Sequence, residues 1–117
     1  MAINGAFYPM GRTFVLTGNV TNQSANIYAD SPSGQYLFVN HEPASTGQPV
    51  YVRISATSGN NAAVANATSG NYGVPIRPAE SLILSGPQCS SGSNVFITYI
   101  TAAGTANVYV TPGEGMR

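Results

Sequence analysis

Apolar and polar residues alternate with a period of two in short blocks along this chain, and no other feature constrains its fold as tightly. In Val50–Thr57, Val50, Val52, Ile54 and Ala56 fall on one side, and Tyr51, Arg53, Ser55 and Thr57 on the other. Successive side chains of an extended chain point to opposite faces, so this block is a strand with one face buried. Ala106–Thr111 repeats the pattern, with Ala106, Val108 and Val110 opposed to Asn107, Tyr109 and Thr111. Val95–Ile100 is apolar on both sides and predicts a central strand covered on both faces. Further strands are expected at Thr13–Thr17, Ala25–Ala29, Tyr36–Asn40, Pro75–Arg77 and Ser81–Ser85. Pro75 and Pro78 put the Pro75–Arg77 piece at a sheet edge, because proline donates no ladder hydrogen bond.

Turn-forming residues separate these blocks: Ser33-Gly34, Thr46-Gly47 and Gly86-Pro87. Thr101–Thr105 reads as the tight connection of a final hairpin, with Gly104 free to take a positive φ. Leu, Lys and Glu are too scarce to build amphipathic helices. The expected architecture is all-β: a compact antiparallel β-sandwich or barrel of about eight short strands, with a jelly roll among the topologies that count allows. The 117 residues suit a single β-sandwich domain over 12–117, preceded by an N-terminal arm over 1–11.

Only eight residues are charged, and none is lysine. A soluble domain ordinarily carries roughly a quarter of its residues as Asp, Glu, Lys or Arg. Either Ser, Thr, Asn and Tyr hydrate this surface, or much of it lies against other protein. Four separated arginines make no phosphate-binding patch, so nucleic acid is not expected as a partner. No run approaches the roughly 20 apolar residues of a membrane helix, and no secretory leader is read at the start.

The inventory for chemistry is equally thin. A single histidine and a single cysteine, His41 and Cys89, offer neither a metal set nor a nucleophile with its base. Cys89 reads as an incidental loop thiol beside Pro87, Ser90 and Gly92. His41 and Glu42 are adjacent in extended chain and point apart. The remaining internal acids, Asp30 and Glu80, have no useful local spacing for a carboxylate pair. The Gly-rich tail Thr111–Gly115 lacks a phosphate-loop lysine and reads as chain leaving the last strand. The chain is therefore expected to be non-enzymatic, with no catalytic residue, cofactor or metal. Seven tyrosines could stack on sugars, but tryptophan is absent and several tyrosines fall within strands.

Two segments do not fit the strand pattern. Met1–Gly11 holds an apolar arm, with Phe7, Tyr8 and Met10 as its candidate contact residues. It packs either on its own sandwich or on a partner. Thr57–Asn71 is small, polar and uncharged, a length of loop that is usually functional or mobile. Asn60, Asn61, Val64 and Asn66 are its candidate contacts, if the loop orders against a neighbouring subunit rather than forming a surface excursion.

From residue 73 the chain carries Gly73-Val74-Pro75-Ile76-Arg77-Pro78-Ala79-Glu80-Ser81-Leu82-Ile83-Leu84, then Asn94–Ile100 and Ala103–Val110. This progression resembles the C-terminal β-segment of small structural proteins of tailed bacteriophages. There a proline-and-acid bend precedes a strand, and a "strand, x-Gly-Thr-Ala, strand" hairpin ends the chain. The resemblance covers about a third of the chain and transfers no catalytic residue. It implies a virion location, after assembly in a bacterial host's cytoplasm. It also implies the role of a capsid decoration (cement) protein: a symmetric homo-oligomer, such as a trimer, clamped over joints of the major capsid protein. A tail, fibre or baseplate component is the nearest alternative, and a carbohydrate-binding module is one of a different class.

Overall fold

The computed structural model describes residues 7–21, 23–56, 74–101 and 103–114. They form nine strands: β1 (Tyr8–Pro9), β2 (Phe14–Gly18), β3 (Gln23–Ile27), β4 (Ser33–Asn40), β5 (Val50–Ser55), β6 (Val74–Ile76), β7 (Glu80–Cys89), β8 (Val95–Thr101) and β9 (Ala106–Glu114). No helix occurs among the described residues. Each of the eight expected strands is present, and β1 adds a short one inside the arm.

The strands pair as a ribbon folded back on itself. β2 pairs with β9, β3 with β8, β4 with β7 and β5 with β6, all antiparallel. Further ladders between β4 and β9, and between β5 and β8, then assemble two sheets. The first runs β2-β9-β4-β7, with β1 extending the β2 edge along β9, and the second runs β3-β8-β5-β6. From β2 onward every connection except β5 to β6 changes sheet. This is the order of a jelly roll, a double-sheet sandwich.

The faces follow the alternation read from the sequence. Leu16, Val108, Val110, Tyr36 and Phe38 of the first sheet meet Ile27, Val95, Ile97, Val50 and Val52 of the second, all with at most 1% exposure. Each such aliphatic or aromatic side chain contributes about 1.5–3 kcal/mol relative to exposure. β8 is central, and its Phe96 and Ile100 are half-buried on the outer side, as the doubly apolar sequence requires. β6, with Pro75, lies at an edge.

Four expectations need correction. Thr101–Thr105 does not close a hairpin: β8 and β9 belong to different sheets, so this segment crosses between them. Gly104 does take a positive φ of 68°, and Thr101 Oγ1 donates to its carbonyl at 2.7 Å. A hairpin and a crossover of this length need the same turn chemistry. Likewise, Thr111–Glu114 does not leave the last strand, because β1 and β4 both pair with it. β7 runs on through Gly86-Pro87, a shift in its register with β4 absorbing the irregularity. Cys89 therefore ends a strand and is buried in the core, rather than sitting in a loop.

The bend at Arg77-Pro78-Ala79-Glu80 carries the chain from β6 to β7 and from one sheet to the other. Ala79 sits in the left-handed region with φ 61°, and Glu80 Oε1 accepts the Arg77 amide at 2.8 Å. The acid of the proline-and-acid motif is thus a cap for its own turn.

One buried polar side chain ties the sheets together. Asn40, 1% exposed, donates from Nδ2 to Ile76 O at 3.0 Å and Gln48 O at 3.2 Å. Its Oδ1 accepts the Glu42 amide at 3.0 Å. Asn40→Ala strands these three backbone groups and is expected to cost about 3 kcal/mol, read as a lower urea midpoint with an unchanged slope.

Candidate functional site

The three glutamates bond to the backbone. Glu42 Oε2 accepts the Asn107 amide at 3.1 Å, and Glu114 Oε2 accepts the Gly34 amide at 3.0 Å. Together with Glu80, three of the four acids serve as acceptors for backbone N–H groups far from one another in sequence or at a turn. His41 lies edge-on to Tyr109, ring centroids 5.4 Å apart. Among the described residues no three His, Cys, Asp or Glu gather as a metal site would need.

Cys89 and Tyr36 lie side by side in the core. Burial pushes the Cys89 thiol up from its ordinary 9.0, with a hydrogen bond from Tyr36 opposing the shift. Burial also raises the Tyr36 phenol above its ordinary 10.0, aided by the neighbouring Cys89 and by Glu114. The Tyr36 hydroxyl donates to Pro87 O. Tyr99 is raised by burial alone. A thiol held neutral is a core side chain rather than a nucleophile.

Of the candidate contact residues, Phe7, Tyr8 and Met10 lie in the described structure. Asn60, Asn61, Val64 and Asn66 lie outside the described residues. Met10 packs against the core; its amide donates to Pro112 O at 3.0 Å, and its carbonyl accepts the Asp30 amide at 2.7 Å. β1 pairs Tyr8 with Glu114 and Pro9 with Gly113. The Tyr8 side chain remains 62% exposed. Phe7 closes over Gly113, where a Cβ would stand 2.5 Å from Phe7 Cζ and would also collide with the Tyr8 carbonyl. Gly113 is the position that lets the strap lie flat.

Sequence reasoning missed a larger feature, the outer face of the first sheet. Register puts Val15, Tyr109 and Val39 in one row across β2, β9 and β4. The next row holds Thr111, Leu37 and Ile83 across β9, β4 and β7. Val15 is 53% exposed, and the other apolar members are half-buried. The signal was available in Tyr36-Leu37-Phe38-Val39 and Leu82-Ile83-Leu84, which are apolar on both parities. A separate cleft of about 420 Å³ opens where β7 meets the β5–β6 pair, with Val52, Ile54, Val74, Leu84 and Pro87 among its lining residues.

Comparison with protein-family models, curated proteins and solved structures finds no match to this chain.

Two outcomes follow from this geometry. Tyr36, Tyr99 and Cys89 have raised native pKa values, so the unfolded chain releases their protons first as pH rises. Stability is then fully present below the unfolded pKa values and falls from about pH 9 upward, by about 1.4 kcal/mol per pH unit for each group ionised only when unfolded. Urea titrations between about pH 7 and 11 measure the fall, and Cys89→Ala removes its earliest part. Separately, Gly113→Ala is expected to lift Phe7–Pro9 off β9 at a cost of about 1–3 kcal/mol. Faster hydrogen exchange at the Met10 amide reports the release.

Proposed function

We propose that this chain is a non-enzymatic structural protein of a tailed-phage virion, a capsid decoration (cement) protein that stabilises joints between major capsid proteins. The observation that carries the reading is the strap Phe7–Met10. Met10 locks it to its own sandwich, while the Tyr8 ring, 62% exposed, is presented at the sheet edge. An exposed tyrosine on an anchored backbone is a low-entropy anchor for a protein partner. The surroundings support the same reading: a charge-poor sandwich whose glutamates are engaged with backbone amides has little equipment for acid–base chemistry.

The mechanism is mechanical. A decoration protein that buries about 1,200–2,000 Å² across a subunit joint resists its separation under internal pressure. Scarce charge lowers the desolvation cost of that contact. The carbohydrate-binding alternative draws less support from the tyrosines. Tyr36 and Tyr99 are buried, Tyr28 stacks edge-on with Phe14 at 5.3 Å, and Tyr109 is engaged by His41.

The test is occupancy on purified phage heads and tails. Binding to heads is expected, with Tyr8→Ala weakening it about tenfold at unchanged melting temperature. Full occupancy by that variant, and by one lacking residues 2–9 but keeping Met10, would remove the strap from the mechanism. Binding to tails alone would move the protein to the tail, fibre or baseplate. Binding to a glycan array but to neither particle would replace the virion reading with a sugar-binding one.

A further inference from the structure

We infer that the slot filled by the strap Phe7–Met10 is an exchange site, in which a second copy of this chain seats its own Phe7–Met10 in place of the resident one. The slot reads a particular sequence. Phe7 closes over Gly113, where any Cβ would collide with its ring and with the Tyr8 carbonyl. Tyr8 and Pro9 pair with Glu114 and Gly113. The Met10 amide donates to Pro112 O at 3.0 Å, its carbonyl accepts the Asp30 amide at 2.7 Å, and its side chain packs against the core. An aromatic ring, an extended pair and an apolar anchor are thus matched in a fixed order. The chain's own strap shows the fit, and every copy of the chain carries that segment.

The join between strap and sandwich has slack. β1 and β2 pair with the same edge of β9, yet not in one register. Phe14 stands opposite Val110, which would put Gly11 opposite Gly113; Pro9 stands there instead. Met10–Thr13 therefore spans a stretch of β9 that only Thr111 and Pro112 occupy. Straightening the two surplus residues gives roughly 7 Å more reach. Arg12 and Thr13 are exposed, so extension draws neither side chain out of the core. Thr13 would give up its hydroxyl bond to Thr111, an exposed contact of small net worth. A short folded hinge at the root of a terminal element is the arrangement from which exchange between protomers starts.

The strap is also easily lifted. Tyr8 is 62% exposed, Pro9 is exposed, and Pro9 brings no ladder donor. Exchange then restores each contact of the strap on the second copy. The closed monomer and the exchanged pair differ by the hinge and by translational freedom, so concentration decides between them. The inference goes beyond the virion reading and does not need it.

Disulfide trapping provides the test. Positions 8 and 114 face each other across the ladder, at a Cα separation that a disulfide spans. Proteins carrying Tyr8→Cys or Glu114→Cys, each also with Cys89→Ala, are mixed at about 0.5 mM, near the effective concentration of a short tether, and oxidised with glutathione disulfide. A covalent dimer is expected, in about tenfold greater yield than from Val20→Cys mixed with Glu114→Cys. Val20 is 57% exposed and follows the end of β2 that pairs with Ala106, at the opposite end of β9. Adding Gly113→Ala to the Glu114→Cys protein should abolish the excess. The double variant Tyr8→Cys/Glu114→Cys, which closes within one chain, establishes that the bond forms once the strap is seated. A mixture that stays monomeric while that double variant closes, or one that dimerises no more than the Val20→Cys control, overturns the inference. Should Glu114→Cys fail to fold, a fluorescein-labelled peptide of residues 6–12 is added, up to about 1 mM, to the full-length Phe7→Ala protein. Saturable polarisation that is lost with a Phe7→Ala peptide supports exchange, and no binding overturns it. Occupancy on phage heads is read separately: exchange without head binding keeps this interface and removes the virion role, and head binding without exchange does the reverse.

Discussion

The structure depends on β4 being paired along both edges. Seven of its eight residues have partners in β7, and Gln35–Asn40 also have partners in β9. With both sets of backbone groups satisfied, β4 can sit in the middle of a sheet, and its Tyr36 and Phe38 are the largest fully buried side chains among the described residues. The other ladders of the ribbon are placed by this one. Once β4 lies between β7 and β9, β2 can reach only the free edge of β9. The strands between them then form the opposing sheet. Ladders on both edges of β4, β8, β5 and β9 satisfy much of the backbone's hydrogen bonding without drawing on side-chain charge.

The few polar and charged groups of the framework are used where the backbone would otherwise be left unpaired. Asn40 bridges the sheets, and Glu42, Glu80 and Glu114 each take a backbone amide that no strand partner reaches. Thr13 and Thr111 share a hydroxyl hydrogen bond of 2.7 Å across the β1–β2 break. Acids spent on turn and loop amides are poor candidates for proton transfer, and their positions explain why so little charge remains for the open sheet faces. The scarcity of charge thereby becomes a property of particular surfaces, above all the outer face of the first sheet.

Much of the fold was legible because β periodicity is a local signal. The alternation in Val50–Ser55 and in Ala106–Val110 names the buried face without knowledge of any neighbour, and Pro75 marks an edge by lacking a donor. The candidate site was legible only in part. Phe7, Tyr8 and Met10 stand out as apolar residues in a segment without strand pattern, yet their different roles do not. Met10 is an anchor, Phe7 a clasp over Gly113, and Tyr8 an exposed ring, distinctions set by what β9 offers at Pro112 and Gly113. The doubly apolar run Tyr36–Val39 also lay in plain view, but its meaning required knowing that β4 lies between β7 and β9.

The sequence by itself determined that this is a strand-built sandwich, which side of most strands faces inward, and how few histidine, cysteine and charged side chains it has. Those are consequences of side-chain period and composition. Tertiary structure alone decided which strands pair, that Thr101–Thr105 crosses between sheets instead of turning within one, and that β9 continues to Glu114. It also decided that Cys89 lies in the core and that the uncharged outward residues of four strands merge into one surface. The reason is physical: alternation fixes a side chain's direction relative to its own strand. Register and sheet membership depend on contacts between residues tens of positions apart, on which a local pattern is silent.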